Sequence, residues 1–170
     1  RCYICAGTSD QSIDSFEKIV SIAKNEIESF TGLTDVFRNE VVINMTNNDG
    51  FIRNPAGFTY RLYNGSFVKT LNSNVNAKRG KRAEAVCFDE SGFLDEEVFQ
   101  VIEPYTAQDK NFKMRGSVNV TTLPKELPNQ LLYTSSASTT DSYFYKKYKE
   151  YSKAMIWGSK DHFVADINCE

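Results

Sequence analysis

The sequence predicts an α/β fold in which a mainly parallel β-sheet is flanked by helices. Short apolar segments typical of buried strands alternate with segments whose apolar residues recur at helical spacing. Three of the strand-like segments end in polar residues, and ligands of open α/β sheets bind at the carboxyl ends of strands. An Asn-Gly pair also separates two strand-like segments, which is the strongest short-range signal for a β-hairpin.

Length and composition set the limits of this prediction. The 170 residues are enough for one domain, and we expect residues 1–170 to form a single domain. The chain has 20 basic and 22 acidic residues, so its net charge of −2 excludes a general basic coat for nucleic acid but not a local basic patch. No run of about 18 apolar residues occurs, and we therefore expect no membrane span.

The chain opens with a strand followed directly by a helix. Residues 2–7 are apolar and end at Gly7, which predicts a buried strand. Residues 11–30 carry apolar side chains at helical spacing, and Ser9 or Asp10 is expected to cap this helix. A strand, a turn and a helix in this order are the first half of a βαβ unit.

The middle of the chain has the pattern of a hairpin. Residues 58–63 alternate in polarity, Asn64 and Gly65 form the turn, and residues 67–71 form the return strand. We expect an antiparallel hairpin around residues 58–71, inserted in the parallel sheet or placed at its edge. Residues 72–82 are polar and basic, and they are interpreted as an exposed loop.

The second half repeats the alternation of strands and helices. We predict strands over residues 84–89, 130–134 and 163–167, helices over 94–103 and 141–156, and a loop over 105–128. Pro104 is expected to end the first of these helices.

The cysteines do not predict a strong metal site. Cys2 and Cys5 have the spacing of a zinc-binding pair, but no second pair or histidine cluster follows them. Both lie in an apolar strand-like segment, so we interpret them as buried core thiols.

Residues 86–90 form the most informative motif. An apolar strand that ends in Asp89 and Glu90 has the arrangement of a Walker B motif. In such a site Asp89 helps to hold Mg²⁺, and Glu90 polarises the attacking water as a general base. The alternative is a strand that simply ends in two solvated acids.

Two other polar segments have both structural and functional interpretations. The basic segment 78–82 is either a solvated loop or a phosphate-binding loop, in which Lys78, Lys81 and Arg82 contact a nucleotide γ-phosphate or a nucleic-acid backbone. Thr134, Ser135 and Ser136 either sense a γ-phosphate or form a helix-capping turn. His162 is interpreted as a surface residue rather than a catalyst.

The 170 residues contain no P-loop. That motif requires GxxxxGK followed by Ser or Thr. The chain's one Gly-Lys pair, Gly80 and Lys81, is followed by Arg82, and Val75 stands where the first glycine belongs.

The order of these motifs resembles the ATPase domain of the large terminase subunits of tailed bacteriophages, the motors that package DNA. The resemblance covers nearly the whole chain. It is carried by these segments in order: GTSDQS, FTYRLYNGSFVKTL, KRGKRAEAVCFDESGF, NQLLYTSSAS and DHFVADINCE.

The resemblance implies a sheet of the P-loop NTPase (ASCE) type, with ATP and Mg²⁺ as cofactors. Asp89 matches the Walker B acid, Glu90 the catalytic glutamate, and residues 134–136 the coupling motif that links hydrolysis to movement. Arg79 matches a position proposed in the family as an arginine finger acting in trans. In the family the P-loop lies one helix before the strand at residues 2–7, so the resemblance implies an ATPase core without its P-loop. It also implies that the chain as given is inactive in hydrolysis and lacks the linker and nuclease domain.

The resemblance also implies partners and a location. The family translocates double-stranded DNA into a procapsid, together with a portal protein, a small terminase subunit and sister subunits in a ring, in the cytoplasm of the infected bacterium. Two other functions remain open at this point. One is a helicase-like P-loop ATPase, and the other is a non-hydrolytic remnant that binds DNA or protein.

Overall fold

A six-stranded sheet lies at the centre of the fold. The computed structural model describes residues 1–24, 39–43, 48–71, 80–107 and 128–167. In these residues the strands are β1 (Cys2–Cys5), β2 (Phe51–Ile52), β3 (Thr59–Arg61), β4 (Phe67–Leu71), β5 (Ala85–Phe88) and β6 (Gln130–Tyr133). The helices are α1 (Ser9–Ala23), α2 (Glu96–Ile102) and α3 (Tyr143–Ile156), with short 3-10 turns at Ser91–Phe93 and Glu103–Thr106.

The strand order is β2-β3-β4-β1-β5-β6, and the sheet is mostly parallel. Strands β4, β1, β5 and β6 run in the same direction. The sequence predicts this for β1, β5 and β6, whereas the parallel pairing of β4 with β1 was not predicted. Strands β3 and β4 pair antiparallel, and the two-residue strand β2, which the sequence analysis did not predict, pairs with β3 at the edge. The four parallel strands therefore bring their carboxyl ends to one edge of the sheet.

Alternating side chains divide the core between the two faces of the sheet. On one face, Tyr3 and Cys5 of β1 join Val86 and Phe88 of β5 in a core closed by α2, whose Phe99 is fully buried. Because the faces alternate along a strand, the other side of the sheet has its own core.

The second core is built around Phe16 of α1. Its ring is fully buried and lies 5.9, 5.7 and 5.9 Å from the ring centroids of Phe51, Phe58 and Tyr60. Three of these four residues come from the antiparallel edge of the sheet and the segment leading into it. The contacts of Phe16 therefore fix α1 over that edge.

The caps of two helices differ from those expected. Thr8, not Ser9 or Asp10, caps α1: its hydroxyl accepts from the Gln11 amide, and the Gln11 side chain accepts from the Thr8 amide. This capping box satisfies two backbone donors at once, whereas Ser9 and Asp10 are already inside the first turn. Ser142 caps α3 in the same way through the amide of Tyr145.

The strand predicted at residues 163–167 is wrong. These residues pair with no strand in the described part of the chain; they run back along α3, where the Tyr148 hydroxyl donates to Asp166 at 3.4 Å. Phe163 and Ile167 are 79% and 82% exposed. Residues 163–167 have the apolar composition of a buried strand, but a strand also needs a neighbouring strand to satisfy its backbone groups.

Other predicted boundaries can be placed only in part. Helix α1 ends at Ala23, and the predicted continuation to residue 30 lies outside the described residues. The same holds for residues 72–79 of the predicted basic loop and for most of the predicted loop at 105–128. No described helix is long and apolar enough to cross a membrane.

We predict that Phe16→Ala destabilises the fold by about 3–5 kcal/mol, because it removes a fully buried ring from three aromatic neighbours. Urea unfolding followed by circular dichroism measures this loss. Phe93→Ala is the control, since Phe93 is 64% exposed and its loss should change the free energy of unfolding by less than about 0.5 kcal/mol. Equal effects of the two substitutions would contradict the assignment of Phe16 to the core.

Candidate functional site

The carboxyl ends of β5 and β6 lie side by side and carry most of the polar residues singled out in the sequence. The two strands pair in parallel with Phe88 opposite Tyr133. The next residues along each strand are therefore neighbours, which places Asp89 and Glu90 beside Thr134, Ser135 and Ser136. The register of β5 thus assembles the candidate site.

Asp89 is held by three donors from three parts of the chain. The Thr134 hydroxyl donates to Oδ1 at 2.9 Å, and the amide of Glu90 donates to the same oxygen at 3.1 Å. The Ser15 hydroxyl, from the second turn of α1, donates to Oδ2. The amide of Asp89 itself donates to the carbonyl of Cys5 at 2.8 Å. Both the backbone and the carboxylate of Asp89 are therefore fixed.

Glu90 has a backbone conformation that is rare for residues other than glycine. Its φ is 49° and its ψ is 42°, in the left-handed region, and it is the only described non-glycine residue with positive φ. Such a conformation costs about 1–2 kcal/mol for an L-residue. Strained backbone of this kind is concentrated at functional sites. The Ser136 hydroxyl donates to Oε2 of Glu90 at 3.1 Å and so holds the carboxylate beside β6.

Four further hydrogen bonds join the loop after β5 to the loop after β6. The amide and the hydroxyl of Ser91 both donate to the Thr134 carbonyl at 2.9 Å. The Gly92 amide donates to the Ser135 hydroxyl at 3.0 Å, and the Ser138 hydroxyl donates to the Gly92 carbonyl at 2.7 Å. Because Ser91 is fully buried, these bonds are protected from water. We call residues 89–93 and 134–138 together the paired loops.

Gly92 is required for the approach of the paired loops. A Cβ atom at this position would lie 2.4 Å from Cβ of Ser138 and 2.7 Å from the hydroxyl oxygen of Ser135. Both distances are shorter than real side-chain contacts. The close packing of Ser91 and Gly92 against residues 135–138 therefore explains why a glycine stands here.

The carboxylates of the site are held by neutral donors. Among the described residues, no lysine, arginine or histidine forms an ion pair with Asp89 or Glu90, although both are half-buried. Two half-buried carboxylates without a cationic partner are costly. The oxygen atoms gathered here are hard ligands of the type that Mg²⁺ prefers, and Asp89 and Glu90 are the residues that could hold such an ion.

The neighbouring thiols are not metal ligands. Burial, followed by the charge of Asp89, raises the pKa of Cys87 to about 12, so its thiol stays protonated at neutral pH. Cys5 is fully buried, as the interpretation as a core thiol predicts, whereas Cys2 is only half-buried. In the described part of the chain, no three His, Cys, Asp or Glu residues are close enough to form a protein-only metal cluster.

An aromatic and acidic network supports the end of β6. The ring of Tyr133, which directly precedes Thr134, stacks on Phe88 with centroids 5.2 Å apart. Its hydroxyl donates to Glu103 at 2.6 Å, and the Tyr143 hydroxyl donates to the same carboxylate at 3.2 Å. Burial and then the bond to Glu103 raise the pKa of Tyr133, which keeps this hydroxyl a donor at every physiological pH.

The other predicted site residues lie elsewhere or cannot be placed. Lys81 and Arg82 precede the amino end of β5, and Asp89 follows its carboxyl end. At about 3.3 Å per residue, the four-residue strand alone separates them by roughly 13 Å, so they do not contact a phosphate bound at Asp89. Lys78 and Arg79 lie outside the described residues.

His162 packs on Tyr151 and its Nδ1 is 2.8 Å from the Ser159 hydroxyl, away from the paired loops.

Sequence reasoning missed two contributions to the site. Ser15 lies on α1, 74 positions before Asp89, and nothing in its local pattern marks it. Ser138 contacts Gly92 from the far end of the second loop. The density of serines in residues 134–138 was the only available signal, because side-chain hydroxyls of this type often satisfy backbone groups.

Comparison with known proteins gives few matches. No protein-family model matches the chain, and no curated protein matches it. Among solved structures, the chain is similar to the large terminase ATPase domain of Thermus phage P74-26, with 16% identity and a TM-score of 0.39. A variant of that domain with one arginine-to-alanine substitution matches with 14% identity and a TM-score of 0.41. Both matches cover 96% of this chain and 76% of the other.

We predict that Gly92→Ala destabilises the protein by about 1–3 kcal/mol, because the added methyl group forces the paired loops apart. Ser138→Gly removes the nearest obstructing atom. The loss of unfolding free energy in the double variant should therefore be smaller than the sum of the two single losses, by at least about 0.5 kcal/mol. Urea unfolding of the three variants measures this difference. Strictly additive losses would show that the two loops do not press on each other at Gly92.

Proposed function

We propose that this chain is the ATP-hydrolysing core of a viral DNA-packaging motor of the large terminase type. The observation that carries the proposal is the meeting of Asp89 and Glu90 with Thr134, Ser135 and Ser136 at the carboxyl ends of two adjacent parallel strands. An acidic pair next to a hydroxyl-rich strand end combines the groups that hold a cation, activate water and detect a phosphate.

In this proposal Asp89 holds Mg²⁺, directly or through water. Its three donors fix both carboxylate oxygens toward the space between β5, β6 and α1. A bound Mg²⁺ would neutralise the charge that develops on the nucleotide phosphates. A carboxylate with neutral hydroxyl donors keeps its full negative charge, whereas an arginine partner would compete with the cation. The donors around Asp89 therefore suit this role.

Glu90 acts as the general base that orients and polarises the attacking water. The left-handed backbone turns its side chain away from the course of β5, and the Ser136 hydroxyl holds one carboxylate oxygen. The other oxygen, Oε1, is then available to a water molecule. General bases of this kind contribute about 10²–10⁴ in rate.

Thr134, Ser135 and Ser136 connect the site to movement in this proposal. Each contacts a different residue of the loop after β5: Thr134 contacts Asp89, Ser135 contacts Gly92 and Ser136 contacts Glu90. A change at the carboxylates therefore reaches residues 134–138 directly. From there it reaches α3, which begins a few residues later.

The P-loop that this reaction requires is not among the 170 residues, so the proposal assigns it to a segment outside them. The sheet can accept such a segment beside the site. In the described part of the chain no strand pairs with the outer edge of β6, and Leu132 of that strand is 56% exposed. A parallel strand added at this edge would end next to Thr134, where a phosphate-binding loop is needed.

The remaining parts of the proposal follow from the sequence resemblance alone. Arg79 acts as an arginine finger on the nucleotide of a neighbouring subunit. The substrate is double-stranded DNA, and a portal protein, a small terminase subunit and sister subunits in a ring are the partners. The motor works in the cytoplasm of the infected bacterium.

We predict that the 170-residue chain alone neither binds nor hydrolyses ATP measurably. Asp89 and Glu90 can hold hydrated Mg²⁺ only weakly, because Mg²⁺ normally completes its shell with substrate phosphates held by other groups. Isothermal titration with ATP and Mg²⁺ should show no binding at submillimolar concentration. Micromolar binding would reveal a phosphate site elsewhere in the chain and would contradict the proposal.

The functional test uses a longer protein that joins these residues to a P-loop segment. Glu90→Gln should keep ATP affinity but lower the hydrolysis rate by about 10²–10⁴. Asp89→Asn should instead weaken Mg²⁺-dependent ATP binding. Glu97→Gln, an exposed acid on α2, is the control and should hydrolyse ATP at the parental rate. Parental hydrolysis by Glu90→Gln would overturn the assignment of the site.

A further inference from the structure

A group of cations lies on the sheet face opposite α1, at the antiparallel edge. Arg61 of β3 pairs with Phe67 of β4, and its guanidinium lies over that ring at 5.2 Å from the centroid. The Lys81 ammonium lies 5.7 Å from the centroid of Tyr3, whose ring contacts Phe67 edge to face at 5.7 Å. Lys69 occupies the same face of β4, two residues beyond Phe67. We call Arg61, Lys69 and Lys81, with the two rings, the cationic face.

The strand geometry spaces these charges regularly. Lys69 is the diagonal neighbour of Arg61 across the β3–β4 pair, and such positions lie roughly 7–8 Å apart. Tyr3 is opposite Lys69 in the parallel register of β1 and β4, which brings Lys81 next to Lys69. The three charges thus form a row across β3, β4 and β1.

The charges of the cationic face are not neutralised within the described part of the chain. None of the three cations forms an ion pair with a described carboxylate. Glu84 is the described acid near this face, since its charge acts on the pKa of Tyr3, but it forms no ion pair with any of the three cations. Burial and then the nearby Lys69 lower the pKa of Lys81, as expected where like charges are close. In a chain with a net charge of −2, this row of cations is a local exception.

The described helices leave this face open. Helix α1 packs on the other side of β4, where Val68 joins the core around Phe16. On the near side, α2 and the turn that follows it pack on β1 and β5, where Tyr105 contacts Tyr3. The rings of Phe67 and Tyr3 hold Arg61 and Lys81 in place, so that binding costs little further side-chain entropy at these two residues.

We propose that the cationic face binds the phosphate backbone of double-stranded DNA. The inference rests on the proposed function only for the choice of DNA as the polyanion. The charge and the spacing of the three cations by themselves indicate a ligand with a row of phosphates. Contacts to phosphates hold the register and orientation of a duplex without reading its sequence. Arg61 can engage a phosphate with two donors, whereas Lys69 and Lys81 act as point charges. Lys69 is two strands away from β5, and Asp89 contacts Ser15 of α1 on the other side of the sheet, so DNA and a nucleotide do not compete for this face.

The test measures binding of the 170-residue chain to a fluorescent DNA duplex by anisotropy over a range of KCl concentrations. The face variant carries Arg61→Gln, Lys69→Gln and Lys81→Gln. The control variant carries Lys146→Gln, Lys149→Gln and Lys153→Gln, which remove the same charge from α3. Each phosphate contact contributes about 0.9 to the slope of log affinity against log salt, so the face variant should lose about 2.7 in slope. The control should keep the parental slope.

Several outcomes overturn the inference. It is wrong if the parent chain does not bind the duplex, if the control loses as much slope as the face variant, or if polyglutamate competes as well as DNA. If the triple variant fails to fold, the single variant Arg61→Gln replaces it, because Arg61 is exposed and its substitution should not disturb the fold. The slope of the single variant should be lower than that of the parent by about 0.9. Parental hydrolysis by Glu90→Gln would overturn the proposed function and leave this result unaffected.

Discussion

The parallel pairing of β5 with both of its neighbours is the constraint on which the rest of the structure depends. Cys5, Phe88 and Tyr133 stand in one row across β1, β5 and β6. Each strand therefore ends at the same level, and polar residues distant in sequence become neighbours. The packing of Phe88 between Phe99 and Tyr133 maintains this register from one face of the sheet. A shift of one residue would turn these rings to the other face.

The paired loops show how two unfavourable features are tolerated together. Glu90 has a strained backbone, and neither it nor the adjacent Asp89 has a cationic partner among the described residues. Either feature alone favours a different conformation of the loop. The buried Ser91, bonded twice to the Thr134 carbonyl, and the close contact of Gly92 with Ser138 oppose that change. The stability of the core is thus used to hold a conformation that an isolated loop would not keep.

Much of the fold, and the centre of the site, could be predicted from local patterns. Apolar segments predicted three of the four parallel strands, β1, β5 and β6, and Asn64 with Gly65 predicted the antiparallel pair of β3 and β4, because these signals act over a few residues. The strand at 163–167 failed because pairing is a property of the neighbouring strand as well. Ser15 could not be found because its partner is brought to it only by the packing of α1. The hairpin as an insertion, the P-loop type of the sheet and the motor function stay predictions.

The central claim is that Asp89, Glu90 and the loop after β6 form one half of a nucleotide site. It is tested most directly by adding Mn²⁺ and ATP to a longer, isotope-labelled protein that includes a P-loop segment and recording its amide spectrum. A metal bound at Asp89 should broaden the resonances of residues 89–92 and 134–136, and Asp89→Asn should abolish the effect. Broadening confined to other residues, or unchanged by Asp89→Asn, would contradict the account.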